Sequence, residues 1–349
     1  MWKSWKRSAS ILFFSPIVGV VGCGRAPLDR VSGAESRDVG AVELASVPAD
    51  QSLFDIAVDA TGVYFAVAWY PEKLSGSAPG SDTAGAVRRV PREGGDTTEL
   101  WRGQGAAYGV GAGESAIYFI TYEYRSNGRA GHVWAVPRTG GTARALGGWG
   151  SQGSSIGFAV DGDAVYWGHS AGSGGALNRT DGVDGTTVAV VPEVSSPVGV
   201  ATDGHTVFFV AGHLAAGGGV FGVPAAGGPP ATILEGQGGD RGWLAVDPTS
   251  RTLLASMDDR GVVAIDLSGG RVSVLTDAPA GDVATDGTFA YWIDVGGGRI
   301  VKAAVNGCSG RCVPITVASG LSKPVAIAVD DRSVYWVDQD AHRVMRAPK

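Results

Sequence analysis

Apolar residues along this chain fall in short runs rather than along a helical stripe. No window sustains apolar positions at i, i+3, i+4 and i+7, while runs of Val, Ile, Tyr and Trp bounded by Gly, Asp and Pro recur throughout, the mark of strands joined by turns. The clearest instance is Pro324 to Asp338, PVAIAVDDRSVYWVD. It reads as an apolar strand from Val325 to Val329, an Asp-rich turn at Asp330 and Asp331, and a second strand carrying Val334, Tyr335 and Trp336. Such β-branched and aromatic residues suit a pleated, half-buried surface. A unit of this size cannot bury its own apolar face, so it needs neighbours like itself.

Six further copies supply them. They are IAVDATGVYF (Ile56 to Phe65), GVGAGESAIYF (Gly109 to Phe119), FAVDGDAVYW (Phe158 to Trp167), VATDGHTVFF (Val200 to Phe209), LAVDPTSRTLLA (Leu244 to Ala255) and VATDGTFAYW (Val283 to Trp292). Anchored on Asp59, Gly113, Asp161, Asp203, Asp247, Asp286 and Asp330, the steps are 54, 48, 42, 44, 39 and 44 residues, which is propeller spacing with four strands to a blade. Two more strands lie between copies, joined by a recurrent V-P-x-x-G-G hairpin, as in Ala86 to Trp101, His132 to Leu146 and Gly219 to Leu234. The last copy stops after its third strand, HRVMRA (His342 to Ala347), and the segment Val39 to Val47 precedes the first copy where a fourth strand would stand. Pairing the two closes the ring and removes an open sheet edge. The expectation is an all-β, seven-bladed β-propeller of four-stranded antiparallel blades over residues 39–349, with six or eight blades as alternatives if a degenerate copy is miscounted.

The first residues carry an address. Lys3, Lys6 and Arg7 precede an apolar run from Ile11 to Val21 that ends at Gly22 and Cys23, a secretory signal layout. That run is too short to span a bilayer as a helix. VVGC, Val20 to Cys23, resembles the lipobox of bacterial lipoproteins, which implies cleavage before Cys23 and lipidation of its thiol. Residues 1–22 are then the signal peptide and residues 23–38 a polar, flexible tether. Gly24, where an Asp would imply inner-membrane retention, leans the destination toward the outer membrane of a bacterial envelope. Loss of three of the 28 basic residues, against 34 acidic ones, takes the net charge from −6 to about −9, which disfavours nucleic acid as a partner. Cys308 and Cys312 remain as an even pair, and a disulfide suits that oxidising compartment. Two thiols with no nearby histidine make a poor zinc site.

AYWID (Ala290 to Asp294) and VYWVD (Val334 to Asp338) resemble the YWTD repeats of low-density-lipoprotein-receptor-type propellers, and the chain is also similar to NHL-repeat and streptogramin-lyase-like propellers. The resemblance implies the fold. It implies no shared activity, because the earlier copies read YFAV, YFIT, YWGH and FFVA and the YWTD family has six blades.

In a propeller the loops between second and third strands, and between a fourth strand and the next first one, gather on one face around the channel, where ligands usually bind. Its expected members are the insert holding Trp69, Tyr70 and Glu72 and the run Tyr122, Glu123, Tyr124 and Arg125. Later blades contribute His169, His213, Asp240, Arg241, Trp243 and Asp282, then Asp294, Lys323, Asp338, Asp340 and His342. Aromatic residues and arginine on the first two blades are the types enriched where binding energy concentrates. Ser155 in GSSIG lacks the helix that a nucleophile elbow needs, and Gly217 to Gly222, GGGVFG, lacks the helix behind a dinucleotide site. Asp181 to Asp184 reads as a turn rather than a calcium loop. The expected function is an envelope-tethered binding module for a protein, peptide or glycan, with no assigned cofactor and no assigned catalytic residue. The alternative is a metal-assisted lyase or lactonase-type hydrolase, with calcium or a transition metal in the channel. For that, His169, His213 and a carboxylate must converge within about 5 Å, because ligation demands closeness.

Overall fold

A computed structural model describes residues 40–69, 83–125, 128–150, 153–154, 157–171, 174–195, 197–214, 217–236, 242–257, 261–307 and 312–349. Over these residues the chain forms seven antiparallel blades in a ring and no helix. In chain order the first, innermost strands are Gln51–Asp59, Ala106–Ala112, Phe158–Asp161, Val198–Thr202, Gly242–Asp247, Ala280–Thr285 and Pro324–Val329. They open blades 1 to 7. In blade 3 the inner edge is in two pieces, Gly153–Ser154 and Phe158–Asp161, both paired with Ala164–Ala171. The ring closes as the sequence predicts: Val42–Ser46 pairs antiparallel with Arg343–Pro348, so the first strand of the domain completes the last blade.

Second strands form the core. Val63 to Ala68 are all fully buried, because alternate side chains enter the two interfaces that a blade makes with its neighbours. Tyr64 and Ala66 pack toward blade 2, and Phe65 and Val67 toward blade 7. That two-sided burial explains why VYFAVA reads as a continuous apolar run rather than an alternation. The buried residues fall into seven clusters, one at each blade–blade interface.

The V-P-x-x-G-G hairpins do what their residues permit. Gly94 donates its amide to the Pro91 carbonyl at 2.9 Å, and Gly140 and Gly227 bond Pro137 and Pro224 at 2.8 Å. Both glycines of each pair have positive φ, 88° and 121° at Gly94 and Gly95, a region that residues with a Cβ rarely adopt.

The repeated aspartate closes the turn between first and second strands. Asp330 Oδ1 accepts the amides of Arg332 and Ser333, both at 2.8 Å, and Asp203 and Asp286 do the same in their blades. Each residue of Y-W-x-D then has a structural task. Tyr335 donates its hydroxyl to Asp330 Oδ2 at 2.8 Å and Tyr291 to Asp286 Oδ2 at 3.0 Å. Trp292 and Trp336 are buried in interface clusters. Asp294 accepts from Gly297 N and Arg299 Nε, and Asp338 from the amides of Ser322 and Lys323.

Candidate functional site

A cavity of about 300 Å³ lies on the ring axis, and every inner strand contributes to its wall. At its level stands the residue four positions before each turn anchor. In blade order these are Asp55, Gly109, Gly157, Gly199, Trp243, Asp282 and Ala326. The three glycines let neighbouring inner strands come close, since a Cβ at Gly109, Gly157 or Gly199 would meet Phe158, Val200 or the Gly242 carbonyl. Two carboxylates and an indole occupy the cavity rim.

Asp55 and Asp282 are equivalent residues of blades 1 and 6, with Ala326 of blade 7 between them. Each ties its own strand to the next blade. Asp55 accepts the amides of Ile56 at 2.9 Å and Val110 of blade 2 at 2.8 Å. Asp282 accepts those of Val283 and of Ile327 in blade 7, both at 2.9 Å. The inner strands bulge here, with register shifts between Leu53 and Asp55 and between Ala280 and Val283, which re-aims a side chain out of the ladder. Both residues are enclosed by the ring yet keep part of their surface toward the cavity. Burial pushes Asp55 up to about 7 against the hydrogen bonds from Val110 and Ile56. Burial likewise takes Asp282 to about 7, opposed by the Ile327 and Val283 amides and reinforced by the charge of Asp55. Two like charges in one low-dielectric space each disfavour ionisation of the other.

An aromatic wall adjoins the carboxylates. Phe54 packs on Tyr108 with ring centroids 4.3 Å apart, Tyr108 meets Tyr122 edge-on at 5.0 Å, and Tyr122 meets Trp149 edge-on at 5.5 Å. Phe158 and Trp243 line the cavity from blades 3 and 5.

Of the residues expected on the ligand face, Tyr122, Trp243 and Asp282 meet at this cavity. Others serve the scaffold. Asp294 and Asp338 hold hairpins and loops, as above, and Asp338 is 4% exposed. His342, at φ 57°, places Nδ1 2.8 Å from the Gln51 carbonyl and so helps join blade 7 to blade 1. Lys323 lies 3.9 Å from Asp340 at the surface, and Arg102 stacks over Trp69 at 4.9 Å. Glu123 lies 3.8 Å from His132 Nε2. His169 Nδ1 lies 3.1 Å from the Asn178 amide nitrogen, and burial lowers its pKa. Among the described residues no group of three or more His, Cys, Asp or Glu is arranged to hold a metal ion. Tyr124, Arg125 and His213 lie on strands, at Ala116–Arg125 and Thr206–Leu214, but their side chains are outside the described residues, as are Tyr70, Glu72, Ser155, Asp240, Arg241 and Cys308. Asp181 Oδ1 accepts the amides of Val183 and Asp184, so that stretch is a turn.

Asp55, Phe54, Tyr108 and Phe158 have no place in the sequence-based set of site residues. One signal was present: in two copies only, an aspartate stands four residues before the turn aspartate.

A comparison of the sequence with protein-family models finds no match, and one with curated proteins finds none either. Solved structures do match. Oligogalacturonate lyase from Vibrio parahaemolyticus aligns over 90% of this chain and 94% of its own at a TM-score of 0.59 and 11% identity. BamB from Moraxella catarrhalis aligns over 89% and 99% at a TM-score of 0.52 and 13% identity. A chain of a mitotic checkpoint complex aligns over 96% and 99% at 0.57 and 12%. These are β-propeller likenesses. At such identities they establish the architecture alone.

Proposed function

We propose that this chain is a binding module whose ligand, part of a protein, peptide or glycan, enters the axial cavity. The observation that carries the reading is the cavity itself: about 300 Å³, reached by all seven inner strands, with an aromatic wall and two convergent carboxylates. Apolar lining with a few placed polar groups is the usual make-up of a ligand site, and this volume is at the small end of the usual range. The similar structures include a lyase and BamB, so the scaffold alone does not choose between chemistry and binding.

The address belongs to the same proposal. Cleavage before Cys23 and lipidation of its thiol would hold the domain at the bacterial envelope, no further from the membrane than residues 23–38 can reach. Pairing of Cys312, which is buried, with Cys308 would suit that compartment.

The test is retention of a ligand. Full-length protein and its Trp243→Ala variant are incubated with the small-molecule, peptide and glycan fraction of an envelope extract and examined by native mass spectrometry. A retained mass that Trp243→Ala loses by about tenfold or more, with little change in melting temperature, supports the cavity as the seat. Equal retention by both proteins would place binding elsewhere.

A further inference from the structure

We infer that the group seated in the cavity is an organic cation, a primary ammonium or a guanidinium, held between the carboxylates of Asp55 and Asp282 and against the aromatic wall. The inference rests on the reading of the cavity as the ligand seat, and adds the chemistry of what sits there.

Three observations lead to it. First, the acids are unmatched. Neither carboxylate forms an ion pair with Lys, Arg or His among the described residues, and among these residues both accept hydrogen bonds from backbone amides alone. Elsewhere in the molecule exposed or half-buried turn carboxylates do find cations, as Asp330 finds Arg92 and Asp286 finds Lys349. The two acids in the middle of the ring are left without one. Second, each carboxylate offers about four acceptor positions, of which two are taken by amides, so capacity remains on the cavity side. Third, the walls suit a cation with an organic body. Tyr108, Tyr122, Phe54 and Phe158 present ring surface from blades 1 to 3, and Trp243 from blade 5, and an ammonium or guanidinium is attracted to such faces as well as to the acids.

A bare divalent metal fits less well. Calcium takes six to eight oxygen ligands, whereas the wall here is mostly ring carbon and glycine, and the described residues hold no cluster of three or more metal-ligating side chains.

The chemistry fixes the sign of the pH dependence. The groups sharing the cavity with each carboxylate are the other carboxylate and the phenols of Tyr108 and Tyr122. The remaining inner strands bring Phe158, Gly199, Val200, Trp243, Leu244, Val325 and Ala326, none of which titrates near neutrality. Below neutrality the acids hold protons that a cation must displace. Affinity for a cation therefore rises with pH through about 7, with protons released on binding.

The experiment is calorimetric titration of the full-length protein with N-acetyl-lysine amide and N-acetyl-arginine amide, and with neutral N-acetyl-norleucine amide as the isostere. It is run at pH 6 and pH 8 in buffers of different ionisation enthalpy. The expected result is that at least one cationic probe binds about tenfold or more tightly than the isostere, gains about tenfold between the two pH values, and releases protons. Asp282→Asn should remove most of that preference. Because this variant also loses a backbone hydrogen bond, the proton count on the unmodified protein stands as the independent readout. Binding of the isostere as tightly as the cations, or cation binding with no proton release, overturns the cation while leaving the cavity as a seat. Failure of all three probes, together with retention unaffected by Trp243→Ala, overturns both.

Discussion

Asp55 and Asp282 make the molecule's stability depend on pH in a definite direction. Their folded-state pKa values are raised to about 7 above an unfolded value near 3.8, so their contribution is fully present below about pH 4 and is lost as pH rises to about 7. The melting temperature should therefore fall between pH 5 and pH 8, and the double variant Asp55→Asn, Asp282→Asn should flatten that slope while lowering stability at pH 5, since each Asn sets an amide donor against a backbone N–H. Asp286 acts in the opposite sense. Burial would raise it, but Lys349, the amides of Phe289 and Thr288 and the Tyr291 hydroxyl together hold it at about 2, so its contribution is present above about pH 4 and lost as pH falls through about 2. A smaller effect isolates one bond: Tyr335→Phe removes the 2.8 Å hydrogen bond to Asp330 and should cost about 1 kcal/mol by chemical denaturation. Two glycines should part company. A Cβ on Gly109 would meet the Phe158 ring at 3.5 Å, an ordinary contact, whereas one on Gly131 would overlap the Trp149 indole. Gly109→Ala should leave the melting temperature nearly unchanged, and Gly131→Ala should lower it by several degrees.

At the scale of elements, three of the turn aspartates tie neighbouring blades together. Arg138 of blade 2 reaches Asp59 and Thr61 of blade 1, Arg92 of blade 1 reaches Asp330 of blade 7, and Lys349 at the end of blade 7 reaches Asp286 of blade 6. Blade 2 has Gly113 in place of the aspartate, and there Tyr118 turns to Asp163 of blade 3 at 2.8 Å instead. The face bearing these turns thus carries inter-blade ties at blades 1, 2, 3, 6 and 7. The closing strand matters more than its length suggests. Val42–Ser46 covers the edge of Arg343–Pro348 and supplies Leu44 and Ala45 to the cluster between blades 7 and 1. Deleting residues 39–47 should lower the melting temperature by well over the effect of deleting residues 24–38, because only the first deletion opens the ring and exposes a sheet edge. Equal losses would show that the closure contributes nothing.

For the whole molecule, the ring architecture was legible because it is repetitive: each blade repeats one short grammar of apolar strand, Asp turn, buried strand and Pro-Gly hairpin, and each signal is local. Closure was legible too, since a blade lacking a strand at one end of the chain and a spare strand at the other leave one pairing. The site was legible only in part. Tyr122, Trp243 and Asp282 stood in the expected set, but so did Asp294, Asp338 and His342, which the structure commits to hairpins and to the blade 7–blade 1 junction. An exposed loop carboxylate and one that caps a turn have the same letter in the sequence. Asp55 was hidden because it sits within an apolar strand, QSLFDIAVD, and only the bulge beside it turns its side chain toward the axis. The sequence by itself determined the repeating strands and their order around the ring, because hydrogen-bonded hairpins depend on residues close together along the chain. Only the tertiary structure decided which side chains meet on the axis, because Asp55 and Asp282, 227 positions apart in the chain, become neighbours of one cavity only when the ring closes.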